Sequence, residues 1–177
     1  MNRVASKKRN MVEVECCPKF DPSTYSDDNG DPKLITWENK PFVKDGTYCF
    51  YYIPLAFGRA TVRALKKISD AGAESSKNEF MILSDCYSPW YSNIYLSVEK
   101  DDVEGAEIEK ISGSFLANVF QGEYSNMGKW ANEMKEIVRE KKGSVDNEMK
   151  LYFLYPYCPK CAQQYGENYV VILAKIS

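Results

Sequence analysis

The sequence contains no histidine, and this absence excludes several classes of catalytic site. Serine or cysteine nucleophiles cannot be paired with an imidazole base, and zinc sites of the HExxH type and histidine phosphate relays are ruled out. Any proton transfer must therefore use aspartate, glutamate, tyrosine, cysteine, lysine or water.

Long apolar runs and a strong net charge are also missing. No run approaches the roughly 18 apolar residues that mark a membrane-spanning helix, and the formal net charge is only −2. The basic N-terminus lacks the apolar core of a secretory signal, so residues 1–14 are predicted to form a flexible polar tail. We expect a cytoplasmic monomer or homodimer with no affinity for membranes or nucleic acid.

Aromatic residues are abundant, with 13 Tyr, 8 Phe and 3 Trp, and they lie within a pattern that occurs twice. Each copy consists of an apolar strand, a glycine-containing turn, a segment with helical spacing of apolar residues, and two further strands. The predicted elements are strands at 47–53, 80–84 and 93–98 with a helix at 60–71, and strands at 115–120, 151–155 and 168–176 with a helix at 125–141.

The duplication predicts a single domain over residues 15–177. It comprises an N-terminal extension at 15–46, which includes a short hairpin around Glu38-Asn39-Lys40, repeat one at 47–100 and repeat two at 107–177. The fold class is α+β, with two β-α-β-β repeats forming an antiparallel sheet, helices on one face and a ligand groove on the other. Strand alternation assigns Ile94 and Ile172 to the helix face, and Tyr95 and Tyr169 to the groove face.

Several segments resemble the GyrI-like small-molecule-binding domain family. They are VFQGEYSNMGKWANEM, LYFLYP and NYVVILA in the second copy, and YYIPLAFGRATVRALKKISDAG and SNIYLSV in the first. The flanking segments CCPKFDP, ITWENKPFVKD and CPKCAQQYGENYVV resemble a bacterial branch of this family labelled "hydrolase".

The resemblance implies a ligand groove at the interface of the two repeats. Family members include drug-sensing domains, gyrase inhibitors and hydrolases that open cyclopropane rings of DNA-alkylating compounds within an aromatic cage. Members that bind cationic ligands often carry an acidic residue near the start of the last strand, where this sequence has Tyr169. This difference favours flat, largely neutral aromatic ligands.

The candidate ligand-binding residues are aromatic, because rings stack on planar ligands. They are Tyr52, Trp90, Tyr95, Tyr152, Tyr155 and Tyr169, for which ordinary packing is the alternative. Glu123 and Asp85 are the candidate catalytic carboxylates that would position a water molecule, and solvated or capping roles are their alternative. The two functions that follow are a cofactor-free hydrolase of aromatic xenobiotics and a non-catalytic module that sequesters or senses such a compound.

Four of the six cysteines come from the two ends of the sequence. Cys158 and Cys161 have C-x-x-C spacing, and Cys16 and Cys17 are adjacent. Only a short segment follows Cys161, so a thioredoxin-type redox fold is disfavoured. The four thiolates are candidates for a structural zinc site that ties the N-terminal segment to the last strands, and a reduced, metal-free cluster is the alternative.

Overall fold

The computed structural model describes residues 17–27, 29–50, 53–85, 88, 90–143 and 149–177, with only the backbone at 50, 53 and 54. The predicted tail at 1–14, Cys16 and Tyr52 therefore lie outside the described residues. Within that part of the chain there are seven strands and three α-helices. They are β1 (Lys33–Phe50), β2 (Ile53–Pro54), α1 (Phe57–Asp70), β3 (Ile82–Asp85), β4 (Tyr91–Ser97), β5 (Glu107–Gln121), α2 (Met127–Lys142), β6 (Leu151–Leu154), α3 (Pro159–Tyr165) and β7 (Tyr169–Lys175).

The strands form an antiparallel sheet that closes into a barrel. The sheet order is β2-β1-β4-β3-β6-β7-β5, and β1 also pairs with β5, which joins the two ends of the sheet. The long β1 makes this closure, because its first part pairs with β5 and its second part pairs with β4. Closure leaves no open edge among the six strands β1 and β3 to β7, because each of them pairs with a neighbour on both sides, whereas the short β2 pairs with β1 alone.

The two repeats meet at the pairing of β3 with β6, where Leu83 lies opposite Leu154. Outside the barrel, α1 packs on β4 through a cluster that includes Ala64, Ile68 and Ile94. On the other repeat, α2 packs on β7 through a cluster that includes Met134 and Ile172. The α+β class, the antiparallel sheet and the assignment of Ile94 and Ile172 to the helix face are confirmed.

The face opposite the helices is the interior of the barrel. It is filled by buried side chains that include Phe42, Leu83, Tyr95, Phe115 and Leu173. A six-stranded barrel is narrow enough for its own side chains to fill it. The expectation of a ligand groove on this face is therefore wrong, because the closure of the sheet buries the surface that an open sheet would expose.

Three local predictions differ from the structure. The expected hairpin around Asn39 is instead an irregularity within β1, where the register to β5 shifts between Trp37 and Lys40. Asn39 adopts a positive φ of 49°, which bends the strand but does not reverse it. The strand predicted at 115–120 is the second part of the longer β5, and α3 lies between β6 and β7, where no helix was predicted.

The second helix ends as its sequence predicts. Gly143 follows α2 with a φ of 75°, and its N–H donates to the carbonyl of Arg139. Basic side chains in the last turn suit the negative end of the helix dipole. No helix in the described part of the chain is both long and apolar enough to cross a membrane.

Candidate functional site

A large cleft lies between α1 and α2, on the outer face of the barrel. Its volume is about 2340 Å³. We call it the interhelical cleft; β3 and β6, at the junction of the two repeats, form its floor. Its main lining residues are Phe57, Gly58, Thr61, Val62 and Leu65 from the first repeat, Tyr124, Met127, Gly128 and Ala131 beside α2, and Ile82, Phe153 and Tyr155 below.

The cleft is apolar and partly open to solvent. Val62 is 66% exposed, Leu65 38% and Tyr124 40%, although side chains of this kind are usually buried. A concave surface with exposed apolar side chains is typical of a ligand-binding groove. The cleft is therefore a concave, partly apolar surface between the two repeats, on the helix side of the sheet.

Each helix presents a glycine to the cleft at its second residue, Gly58 in α1 and Gly128 in α2. A Cβ atom added at either position would meet nothing within 4 Å, and neither glycine has a positive φ. The backbone conformation does not require glycine at these positions. Because neither glycine has a side chain, the cleft is wider at the equivalent position of each repeat.

Tyr155 is the predicted ligand-binding residue that the structure places in the interhelical cleft with other rings. Its ring centroid lies 5.3 Å from that of Phe57 and 6.0 Å from that of Tyr124, both in edge-to-face geometry. The hydroxyls of Tyr155 and Ser84 are 2.9 Å apart and hydrogen-bond to each other. This group combines aromatic surfaces with a phenol hydroxyl, that of Tyr155, whose hydrogen-bond partner Ser84 is buried beneath the cleft.

Asp85 lies at the barrel end of the same cleft, at the centre of a polar cluster. Its carboxylate accepts hydrogen bonds from the backbone N–H of Asn93 at 3.1 Å, the side-chain amide of Asn93 at 3.3 Å and the hydroxyl of Tyr95 at 2.6 Å. The Nζ atom of Lys150 lies 3.2 Å from the same carboxylate, whose side chain is only 3% exposed. We call these four residues the Asp85 cluster.

Burial has the largest effect on two phenols at this place, Tyr95 of the cluster and the neighbouring Tyr152. It raises the pKa of Tyr95, and the hydrogen bond to Asp85 and the negative charge nearby raise it further. Burial also raises the pKa of Tyr152, although Lys150, which lies 4.7 Å from the centroid of that ring, acts in the opposite direction. Both phenols therefore stay protonated at neutral pH.

The remaining predicted residues lie outside the interhelical cleft. Tyr95 and Tyr152 are buried inside the barrel, at 0% and 3% exposure. Tyr169 packs on Phe20, with 5.3 Å between ring centroids. Trp90 and Glu123 are exposed and do not line the cleft, so the five aromatic candidates that the structure describes do not lie together in it.

The sequence reasoning missed most of the cleft. Thr61, Leu65, Met127 and Ala131 lie on apolar helix faces, and apolar spacing alone does not show that part of such a face lines a cleft. The core contact is made instead by narrower stripes, Ala60, Ala64 and Ile68 in α1 and Trp130, Met134 and Val138 in α2. Two features of the sequence could have indicated the cleft. The apolar residues of each helix cover a wider part of its surface than packing on the sheet requires, and each helix has a glycine at its second residue.

Three of the four predicted cysteine ligands lie together. The sulfur atoms of Cys17, Cys158 and Cys161 are all within 4.8 Å of one another. Cys158 immediately precedes α3, Cys161 lies in its first turn, and the N–H of Cys158 donates to the sulfur of Cys17 at 3.4 Å. Burial raises the pKa of the Cys17 thiol to about 12; the hydrogen bond from the backbone N–H of Cys158 acts against this, and the side-chain hydrogen bonds that the Cys17 thiol makes with Cys161 and Cys158 act in the same direction as burial.

Comparison with known protein families gives a match. The family described as "Bacterial hydrolase" matches residues 7–176, which is nearly the whole chain. The chain belongs to the bacterial hydrolase family. No curated protein shows a significant match to it. The interhelical cleft has the Asp85 cluster at one side, so the described residues combine a concave apolar surface with polar groups there.

Proposed function

We propose that this member of the bacterial hydrolase family binds a planar, mostly apolar aromatic compound in the interhelical cleft and hydrolyses it there. The observation that carries the proposal is the cleft itself, which has a volume of about 2340 Å³ and exposes apolar side chains from both repeats. Ligand pockets typically measure about 300–1,000 Å³, so a drug-sized ligand would fill only part of it.

The Tyr155 group determines where we place the aromatic part of the ligand. Phe57, Tyr124 and Tyr155 offer ring edges and faces around one end of the cleft. Stacking on such rings contributes about 0.5–1.5 kcal/mol beyond the burial of apolar area. The three rings give this part of the cleft a largely apolar surface, which suits a neutral aromatic ligand.

A finer proposal follows from the GyrI-like resemblance. The substrate is a compound with an electrophilic cyclopropane fused to a dienone, and the protein acts on it in the cytoplasm. Water adds to one carbon of the strained ring, the C–C bond breaks, and its electron pair moves to the former carbonyl oxygen. That oxygen gains one proton and the water loses one, so the product is the substrate plus water. We assign the proton donated to the oxygen to the Tyr155 and Ser84 hydroxyl pair, because a phenol is protonated at neutral pH.

A non-catalytic binding module is the second candidate, and the Asp85 cluster favours it. Asp85 is the buried carboxylate beside the cleft, and its oxygens already accept hydrogen bonds from Asn93 and Tyr95 and contact Lys150. A carboxylate whose oxygens are already occupied by these partners has little room left to accept a hydrogen bond from a water molecule. If no other group activates water, the protein would hold its ligand without changing it.

One experiment separates these candidates. Purified protein is titrated with Nile red, a neutral planar dye, and separately incubated with a cyclopropane-fused dienone while product is followed by chromatography. Saturable binding with product formed faster than in buffer supports the hydrolase, and binding without product supports the binding module. Absence of both dye and substrate binding would overturn both proposals.

A further inference from the structure

The N-terminal segment is held against α3 on the outside of one end of the barrel. The hydroxyl of Tyr165 donates to the carbonyl of Cys17 at 2.8 Å, and the N–H of Phe20 donates to the hydroxyl of Tyr157 at 2.9 Å. Phe20 also packs edge-on against Tyr157, with 6.5 Å between ring centroids. These contacts join parts of the chain that are more than 130 residues apart in sequence.

The thiols of Cys17, Cys158 and Cys161 converge at this junction. The spacing between Cys158 and Cys161 places both on one side of the first turn of α3, and Cys17 approaches from the N-terminal segment. Their sulfur atoms are all within 4.8 Å of one another. In a tetrahedral zinc site with Zn–S bonds of 2.3 Å, sulfur atoms lie about 3.8 Å apart, so small side-chain rotations bring these three to ligand positions.

We propose that these three cysteines form a structural zinc site that fastens the N-terminal segment to α3. Zinc is favoured over harder cations because all three ligands that the described residues supply are thiolates; a water molecule or a fourth protein ligand completes the tetrahedron. The N–H of Cys158, which donates to the sulfur of Cys17, supplies the kind of outer hydrogen bond that orients a metal ligand. Each thiol loses its proton to solvent when it binds the metal.

The site bears on the interhelical cleft as well. Cys17, Pro18, Tyr157 and Cys158 belong to the wall of that cleft. A metal at the thiols would therefore fix a wall that is otherwise held only by the contacts of an N-terminal segment. This inference concerns structure and does not depend on whether the cleft catalyses a reaction.

The test uses the full chain under reducing conditions. Wild-type protein is loaded with Zn²⁺, freed of excess metal by gel filtration and assayed for zinc per chain, and a parallel sample is titrated with Co²⁺. We expect one zinc per chain and the absorption bands of tetrahedral cobalt bound to thiolates. We also expect zinc to raise the melting temperature.

Serine variants locate the ligands. Cys17→Ser, Cys158→Ser and Cys161→Ser should each lose the bound zinc and the cobalt bands. The matched control is Cys49→Ser, which changes a buried cysteine in β1 that is not part of the cluster and should keep both. Wild-type protein without stoichiometric zinc or thiolate–cobalt bands would overturn the proposal even if a variant failed to fold, and so would equal metal loss in Cys49→Ser.

Discussion

The hydroxyl of Tyr95 donates a hydrogen bond of 2.6 Å to the Oδ2 atom of Asp85, and both side chains are buried. The carboxylate sits where β3 ends, and the phenol comes from β4 inside the barrel. A tyrosine hydroxyl buried in this way needs an acceptor, and a carboxylate buried in this way needs donors. The hydrogen bond therefore connects the end of β3 to the core of the barrel through Tyr95 of β4.

Removal of the carboxylate should destabilise the fold. Asp85→Ala leaves the Tyr95 hydroxyl without its acceptor and Lys150 without its buried partner, so we expect the free energy of unfolding to fall by about 2–4 kcal/mol. Urea denaturation measures this change. The matched control is Asp70→Ala, which removes an exposed carboxylate paired with Lys66 and should cost less than about 0.5 kcal/mol. Equal effects of the two substitutions would show that the Asp85 cluster contributes little to stability.

Alkaline pH should destabilise the protein through Tyr95. In the unfolded chain a tyrosine ionises near pH 10, whereas burial and Asp85 raise the pKa of Tyr95 in the folded chain. Above about pH 10 the unfolded state therefore binds fewer protons, and the free energy of unfolding falls by up to about 1.4 kcal/mol per pH unit for this group. Below pH 10 this contribution stays constant.

The variant Tyr95→Phe should lose stability at neutral pH but show a shallower decline above pH 10 than wild type. Denaturation curves at a series of alkaline pH values give the slopes. The control is Tyr48→Phe, because Tyr48 is 76% exposed, and its slope should match that of wild type. Identical alkaline slopes for wild type and Tyr95→Phe would contradict the assignment.

The Tyr155 group should contribute to ligand binding. Tyr155→Ala removes a ring that contacts Phe57 and Tyr124, and we expect the Kd for Nile red to rise about 2- to 12-fold, which corresponds to 0.5–1.5 kcal/mol. Fluorescence titration measures the change. Tyr48→Ala removes a ring outside the interhelical cleft and should leave the Kd as it is. A larger rise in Kd for Tyr48→Ala than for Tyr155→Ala would show that the ligand does not bind at Tyr155.

Gly58 and Gly128 should lower the stability of their own helices. Neither position requires a positive φ, and an added Cβ meets nothing within 4 Å, so Gly58→Ala and Gly128→Ala should each raise the free energy of unfolding by about 0.5–1 kcal/mol. Gly143→Ala, at a φ of 75°, should instead destabilise α2. Thermal denaturation of the three variants checks both signs.

The repeat order and the faces of the last strands were predictable from the sequence because alternation in β4 and β7 is regular. Ile94 and Ile172 pack under the helices as that alternation requires. The closure of the barrel was not predictable, because it depends on β1 pairing with β5 through a shift at Asn39 that resembles a turn signal. Closure fills the inner face of the sheet with side chains and leaves the cleft on the helix side. Because closure was not predicted, the groove was predicted on the inner face.

The candidate site was predictable only in part, for a related reason. Asp85 and Tyr155 were found because their residue types carry chemistry that packing alone does not need. Phe57, Gly58 and Gly128 line the cleft through helix position, and single apolar residues or glycines give no chemical signal in a sequence. The proximity of Cys17 to Cys158 and Cys161 was predictable, because a zinc site needs four ligands and two cysteines lie near each end of the sequence.

The central claim is that the interhelical cleft is the ligand-binding site, and a blocking substitution tests it most directly. Gly128→Leu places a side chain in the open space of the cleft, while Lys129→Leu adds the same side chain at the next, exposed position outside it. We expect Gly128→Leu to raise the Kd for Nile red at least about tenfold, or 1.4 kcal/mol, with unfolding free energy unchanged or higher. Lys129→Leu should bind as wild type does. A folded Gly128→Leu variant that binds the dye with wild-type affinity would contradict the account.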